Sequence, residues 1–138
     1  MNINKNNIII FGAYGFLGNH LSISLSSKYN VYRQGRGPDS QIRTDLLDYN
    51  KILDILKSIK PICVINLIAE TNVDLCENNS DLAREINTNG VRNICDTFKG
   101  KIVQLSTDYV FDGKDGPYVE EDEVFPPGQP SGAVGARG

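Results

Sequence analysis

Three glycines, Gly12, Gly15 and Gly18, punctuate the stretch NIIIFGAYGFLGNHL. An apolar run precedes them and an apolar-periodic segment follows. A G-x-x-G-x-x-G turn between a strand and a helix suits the binding of a pyrophosphate. Gly12 permits a tight turn that a Cβ would strain. Gly15 lets the backbone approach the pyrophosphate, which then sits on the helix N-terminus. Gly18 lets the helix pack closely on the sheet. An NAD-preferring site carries Asp or Glu at the end of the second strand, bonding the ribose 2′-hydroxyl. This chain has Tyr32-Arg33-Gln34-Gly35-Arg36 there, with no acid. Arg36, with Arg33, can pair with a 2′-phosphate through charge-assisted bonds. NADP(H) is therefore favoured, and NAD(H) stays open.

Later segments add candidates. Asp45-Leu46 precedes the second helical pattern, where a carboxylate can accept from an adenine amino group. Asn66 to Thr71 lies at the end of the third β-like run, beside the crevice where such folds bind ligands. Ser106-Thr107-Asp108-Tyr109 lies at the end of the fourth, where a hydroxyl can bond a carbonyl being reduced. Each segment taken alone also reads as a polar cap on a strand end. His20 is the only histidine, so His-based triads and multi-His metal sites are excluded. It reads as a surface or packing residue. The acidic run Glu120-Glu121-Asp122-Glu123 reads as a solvated loop rather than a metal site.

The elements that must position these groups are legible as alternating patterns. Asn7–Phe11, Asn30–Gln34, Cys63–Ile68 and Lys101–Ser106 are β-like, the first and third almost wholly apolar and β-branched. Strands buried on both faces of a parallel sheet read this way. Between them, Gly15–Ser27 carries Leu17, Leu21 and Leu25 at helical spacing. Asp48–Lys60 carries Ile52, Ile55, Leu56 and Ile59, with Asp48 as N-cap and Pro61 as stop. Ser80–Phe98 carries Leu82, Ile86, Ile94 and Phe98, with Gly100 just past its end. Strands alternating with helices predict parallel strands joined by right-handed crossovers. The expected fold is an incomplete Rossmann-type, doubly wound α/β sheet of strand order 3-2-1-4. It spans 1–125 and is followed by an irregular Gly/Pro-rich tail, 126–138. The last strand would present a bare edge, a route to self-association.

Composition narrows the classes further. A formal net charge of −3 over 138 residues, with no basic cluster, argues against a nucleic-acid binder. The apolar run behind MNINKNN is too short for a signal-peptide core or a membrane span, so the expected location is the cytoplasm without membrane contact. Cys63, Cys76 and Cys95 fit no zinc or redox spacing and read as buried free thiols.

The run LSTDYVFDGKDGPYVEEDEVFPP resembles the signature of dTDP-4-dehydrorhamnose reductases, of the extended short-chain dehydrogenase/reductase superfamily. VINLIAETNVDLCENNSDLAREINTNGVRNI, IIIFGAYGFLGNHL and RTDLLDYNKILDILKSIKPICVIN are similar to the same family, so the likeness covers residues 7 to 126. It implies NAD(P)H-dependent reduction of the 4-keto group of a dTDP-sugar. By this resemblance Gly12, Gly15, Phe16, Leu17, Gly18, Asp45, Leu46, Ala69, Glu70 and Thr71 line the cofactor and substrate. Thr107 becomes the catalytic hydroxyl, with Asp108 and Tyr109 beside the substrate. The family also uses a Y-x-x-x-K pair: the Tyr protonates the carbonyl oxygen and the Lys lowers the Tyr pKa. That pair would fall near positions 130 and 134, where this chain has Pro130 and Val134. The expectation is a truncated form, which leaves its standing as an enzyme open. The alternatives are a non-catalytic NADP-binding regulatory module, as some relatives are, and a non-functional fragment.

Overall fold

Asn7–Phe11 forms strand β1, and its burial follows from its composition: Ile8 to Phe11 are all buried. In the computed structural model, which describes residues 5–70, 81, 84–107, 110, 111, 113, 114 and 116–124, helix α1 follows at Phe16–Leu25. Then come β2 at Asn30–Gly35, β3 at Ile42–Arg43, α2 at Tyr49–Ile59 and β4 at Cys63–Asn66. A π-helical turn, Glu85–Gly90, runs into α3 at Val91–Thr97, and β5 closes the series at Lys101–Gln104. The chain divides into two compact units, Met1–Leu105 and Ser106–Gly138.

All strand pairings in the first unit are parallel, in the order β3-β2-β1-β4-β5. The doubly wound sheet of order 3-2-1-4 is thus present and extends by a fifth strand. Its third place falls to Ile42–Arg43, however, a strand outside the four runs read from the sequence. Cys63–Asn66 lies on the far side of β1 from β2, with Ile8 opposite Cys63 and Phe11 opposite Asn66. Two residues are too few to show a period, so β3 has no sequence signal. It forms because the backbone returns alongside β2, with Gln34 opposite Ile42 and the Thr44 N–H donating to the Gly35 carbonyl at 3.3 Å.

One face of the sheet carries the main core. Ile9, Phe11 and Val64 pack with Leu46, Ile52 and Leu56 from the α2 side and Ile94 from α3. Helix α2 is bounded as its sequence predicts. The Asp48 carboxylate accepts from the Lys51 N–H at 3.1 Å, and Lys60 takes a left-handed conformation at φ 50° before buried Pro61. Helix α1 forms within the stretch its spacing predicts. The Leu17, Leu21 and Leu25 stripe is not its buried face: Leu17 is exposed and the others half-buried, while Gly18 and Ser22 are buried. The reason is distance. A Cβ on Gly18 would overlap the Gly12 carbonyl oxygen and lie 2.7 Å from Ala13 Cα, so the helix sits too close for leucines. Ser22 fits by donating its hydroxyl to the Gly18 carbonyl at 2.7 Å.

In the second unit, Phe111 stacks on Tyr118 with ring centroids 4.5 Å apart, and the Asp122 carboxylate accepts from the Val119 N–H at 2.8 Å. No helix among the described residues is long and apolar enough to cross a membrane.

Candidate functional site

The glycine turn is built as its spacing demands. Gly12 has φ +78°, the left-handed region that glycine adopts without Cβ strain. Gly15 occupies the N-cap of α1 in extended conformation, and no side chain caps the helix there. The first-turn N–H groups of a helix lack intrahelical partners. Here no carboxylate stands in that turn either. A Cβ on Gly15 would meet only the Gly12 carbonyl oxygen, at an ordinary 3.5 Å. Neither the backbone nor the packing requires glycine at 15.

The other end of the turn is held by β2. The Gly12 N–H donates to the Gln34 side-chain oxygen at 3.0 Å, and the Ala13 N–H donates to the Gln34 carbonyl at 3.0 Å. Gln34 Nε2 in turn donates to the Thr44 carbonyl. Arg33 is committed elsewhere. Its Nη2 donates to Asn19 Oδ1 at 3.0 Å, its guanidinium lies 4.4 Å from the Tyr14 ring centre, and its buried Nε has no partner. Tyr14 is itself anchored, its hydroxyl accepting from the Gln41 N–H at 2.7 Å. Arg33 therefore braces the outer flank of the turn rather than joining Arg36.

Beside the turn, at the carboxyl ends of β2 and β4, lies a cavity of about 150 Å³. Arg36, Asp45, Leu46, Ala69 and Glu70 line it, with Gln34, Thr44 and Ile68 among the rest. A Cβ on Gly12 would lie 3.1 Å from Ile68 Cγ1, so the turn abuts this wall. Asp45 Oδ1 accepts from the Leu47 N–H at 3.0 Å, which shapes the bend before α2. The Leu46 carbonyl accepts from Asn93 Nδ2 at 2.8 Å. Glu70 is clasped through its backbone. Its N–H donates to Asn87 Oδ1 at 2.8 Å, and its carbonyl accepts from Asn87 Nδ2 at 3.1 Å. Asn87 stands on the π-helical turn, an irregularity often found at functional sites. A neighbouring cleft is lined by Arg36, Arg43, Thr44, Asp45 and Lys51, three cations and one acid.

Sequence reasoning missed Gln34, Thr44, Arg43, Lys51 and Asn87. Gln34 carried a readable signal, since it stands where an acid is expected. The others meet the site only through the short strand β3 and through α2 and the π-turn.

Phe16 is exposed at the start of α1, its ring centre 4.8 Å from that of His20, whose Nδ1 lies 2.8 Å from the Phe16 carbonyl. His20 is exposed, as a surface residue. Thr107 is exposed in the second unit, its carbonyl accepting from the Val110 N–H at 3.4 Å. Thr71, Asp108 and Tyr109 lie outside the described residues, as do Cys76 and the tail from Phe125. Of the other cysteines, Cys95 is exposed, not buried, because it lies about 100° round α3 from buried Ile94. Cys63 is half-buried, and burial pushes its thiol up while Lys101 pulls it partly back. It is thereby poorly suited to nucleophilic work. No group of three or more metal-ligating side chains occurs among the described residues.

Residues 6–132 match the model of the RmlD substrate binding domain family. The chain belongs to that family. The likeness therefore runs past Pro126. A hypothetical dTDP-4-dehydrorhamnose reductase from Sulfolobus tokodaii superposes with TM-score 0.81 at 38% identity, over 87% of this chain and 46% of that one. A dTDP-4-dehydrorhamnose reductase from Bacillus anthracis, solved with NADP, gives TM-score 0.81 at 33% identity, over 91% and 45%. Methionine adenosyltransferase 2 subunit beta of Pongo abelii is 30% identical over 134 residues, 91% of this chain and 40% of the relative. The chain spans less than half the length of each of these proteins. The resemblance read from the S-T-D-Y-V-F-D-G run is borne out at the level of the family.

Proposed function

We propose that these residues form the dinucleotide-holding part of an NAD(P)H-dependent reductase acting on the 4-keto group of a dTDP-sugar. The observation that carries this reading is the meeting of Arg36, Asp45, Leu46, Ala69 and Glu70 in one cavity beside an uncapped glycine turn. In this reading Gly12, Gly15, Phe16, Leu17 and Gly18 cradle the pyrophosphate. The free first-turn N–H groups of α1 and the open space at Gly15 fit such an anion. Arg36, with Arg43 and Lys51 on the same cleft, takes the 2′-phosphate and favours NADP(H) over NAD(H). Asp45 and Leu46 hold the adenine end, with Ala69 and Glu70 on the same cavity, and Thr71 is assigned to the cofactor by the family resemblance alone. The bound nicotinamide supplies the hydride. Thr107 orients the substrate carbonyl, with Asp108 and Tyr109 beside it. The dTDP-sugar is proposed from the reductase relatives.

These 138 residues hold no tyrosine with a lysine four positions on. We therefore expect this chain alone to bind the cofactor without turnover, since a positioned proton donor contributes roughly 10²- to 10⁴-fold in rate. A second reading is a non-catalytic subunit of a larger enzyme. The likeness to methionine adenosyltransferase 2 subunit beta favours it.

Fluorescence titration with NADPH and NADH tests the cofactor reading. NADPH should bind more tightly, and Arg36→Ala should remove most of that preference, about tenfold for one charge-assisted contact. Failure of the wild-type chain to bind either nucleotide would sink it. Absorbance at 340 nm with a dTDP-4-keto sugar tests the expected absence of turnover.

A further inference from the structure

Gln34 has 0% exposure, lines the cavity, and is the side chain that joins the two halves of the site. Its oxygen accepts from Gly12 and its Nε2 donates to the Thr44 carbonyl, while its own carbonyl accepts from Ala13. The Gly12 and Ala13 N–H groups are thus both consumed by one residue. The first turn of α1 still offers N–H donors to an anion. Thr44 precedes Asp45 and Leu46, so the same amide fixes the start of the opposite wall. Only a group that both donates and accepts can satisfy Gly12 and Thr44 together, and a carboxylate accepts only.

We propose that Gln34 is the positioning residue of the nucleotide site: its buried amide sets the spacing between the glycine turn and the Thr44–Leu46 wall. The role rests on the dinucleotide reading above. It gives the missing acid at the end of β2 a physical meaning. The position is occupied by a neutral bracket facing the protein, not by a carboxylate facing a ribose.

Gln34→Glu supplies the test because protonation makes it reversible. A protonated carboxyl can accept from Gly12 and donate its O–H to Thr44, as the amide does. The ionised form loses the second bond and leaves the buried Thr44 carbonyl facing a negative charge. The proton is held in the folded state, so the introduced group's folded pKa rises above its unfolded value of about 4.3. The variant should therefore behave like wild type at low pH and lose stability and affinity as pH rises through the folded pKa. Other charged groups on the cavity are Arg36, Asp45 and Glu70, with Arg33 adjacent in the chain. They are common to both proteins and cancel in the ratio.

The readouts are the NADP⁺ and NAD⁺ dissociation constants of variant and wild type from pH 5 to 8, and the Gly12 amide resonance over the same range. Affinity of the variant relative to wild type should fall about tenfold, the effect of one lost buried hydrogen bond. The Gly12 resonance should move on the same titration in the variant only. Gln34→Met, which can neither donate nor accept strongly, should be weaker by about tenfold at every pH with no titration of the ratio. Wild-type binding together with variants that track it at all pH values would overturn the role of Gln34 alone. Absence of binding by wild type would overturn the dinucleotide reading and this role with it.

Discussion

Gly15 and Gly18 stand three residues apart and answer to different demands. At Gly18 an added Cβ would meet backbone atoms of Gly12 and Ala13, which cannot swing aside. Gly18→Ala should therefore destabilise the fold by roughly 1–3 kcal/mol, as overpacking does, read from urea unfolding. At Gly15 nothing in the protein opposes a side chain, and the extended N-cap conformation suits serine. Gly15→Ser should leave stability unchanged or raise it by about a few tenths of a kcal/mol. The new hydroxyl would occupy the same N–H groups that an anion needs, so nucleotide affinity should drop about tenfold. Equal losses of stability in both variants would show that Gly15 serves the fold and not a ligand. The spacing of the glycines was legible in the sequence. The division of labour among them was not, because it depends on which atoms lie across from each Cα.

Among the elements, α2 was the most legible. Its stripe, N-cap and stop are local features, each set within a few residues. The cap is a specific contributor: Asp48→Ala removes the acceptor for the Lys51 N–H and should cost about 1 kcal/mol in urea unfolding. An unchanged midpoint would mean that the packing of Ile52 and Leu56 alone holds the helix start. Strands β1 and β4 were legible for a similar reason, being short runs of mainly apolar residues: Ile8 to Phe11 are buried on both faces, while in β4 buried Val64 and Asn66 alternate with half-buried Cys63 and Ile65. Two features were not read from local pattern. The buried face of α1 follows from the closeness of the turn rather than from leucine spacing. Strand β3 follows from pairing with β2, and it brings Arg43 and Thr44 to the site.

At the scale of the molecule, β5 is the edge strand of the sheet among the described residues, paired there with β4. Val103 is 43% and Leu105 50% exposed along this edge. An exposed apolar edge strand invites pairing with a second chain. We expect light scattering to show concentration-dependent self-association, reduced by Val103→Lys, which places a charge on the edge without removing a backbone donor. A dimer of undiminished strength in that variant would place the contact elsewhere.

The sequence by itself determined the α/β alternation, the strand–turn–helix around Gly12 and the bounds of α2. These rest on periodicity, capping and backbone conformation, all of which act over a few residues. Only the tertiary structure decided that Arg36, Asp45, Leu46, Ala69 and Glu70 share one cavity, and that Arg33 turns to Tyr14 and Asn19 instead. It also decided that Gln34 bridges Gly12 to Thr44, partners 22 residues before it and 10 after it. Such contacts depend on which strands lie side by side, and that order is set by the packing of the whole sheet against its helices.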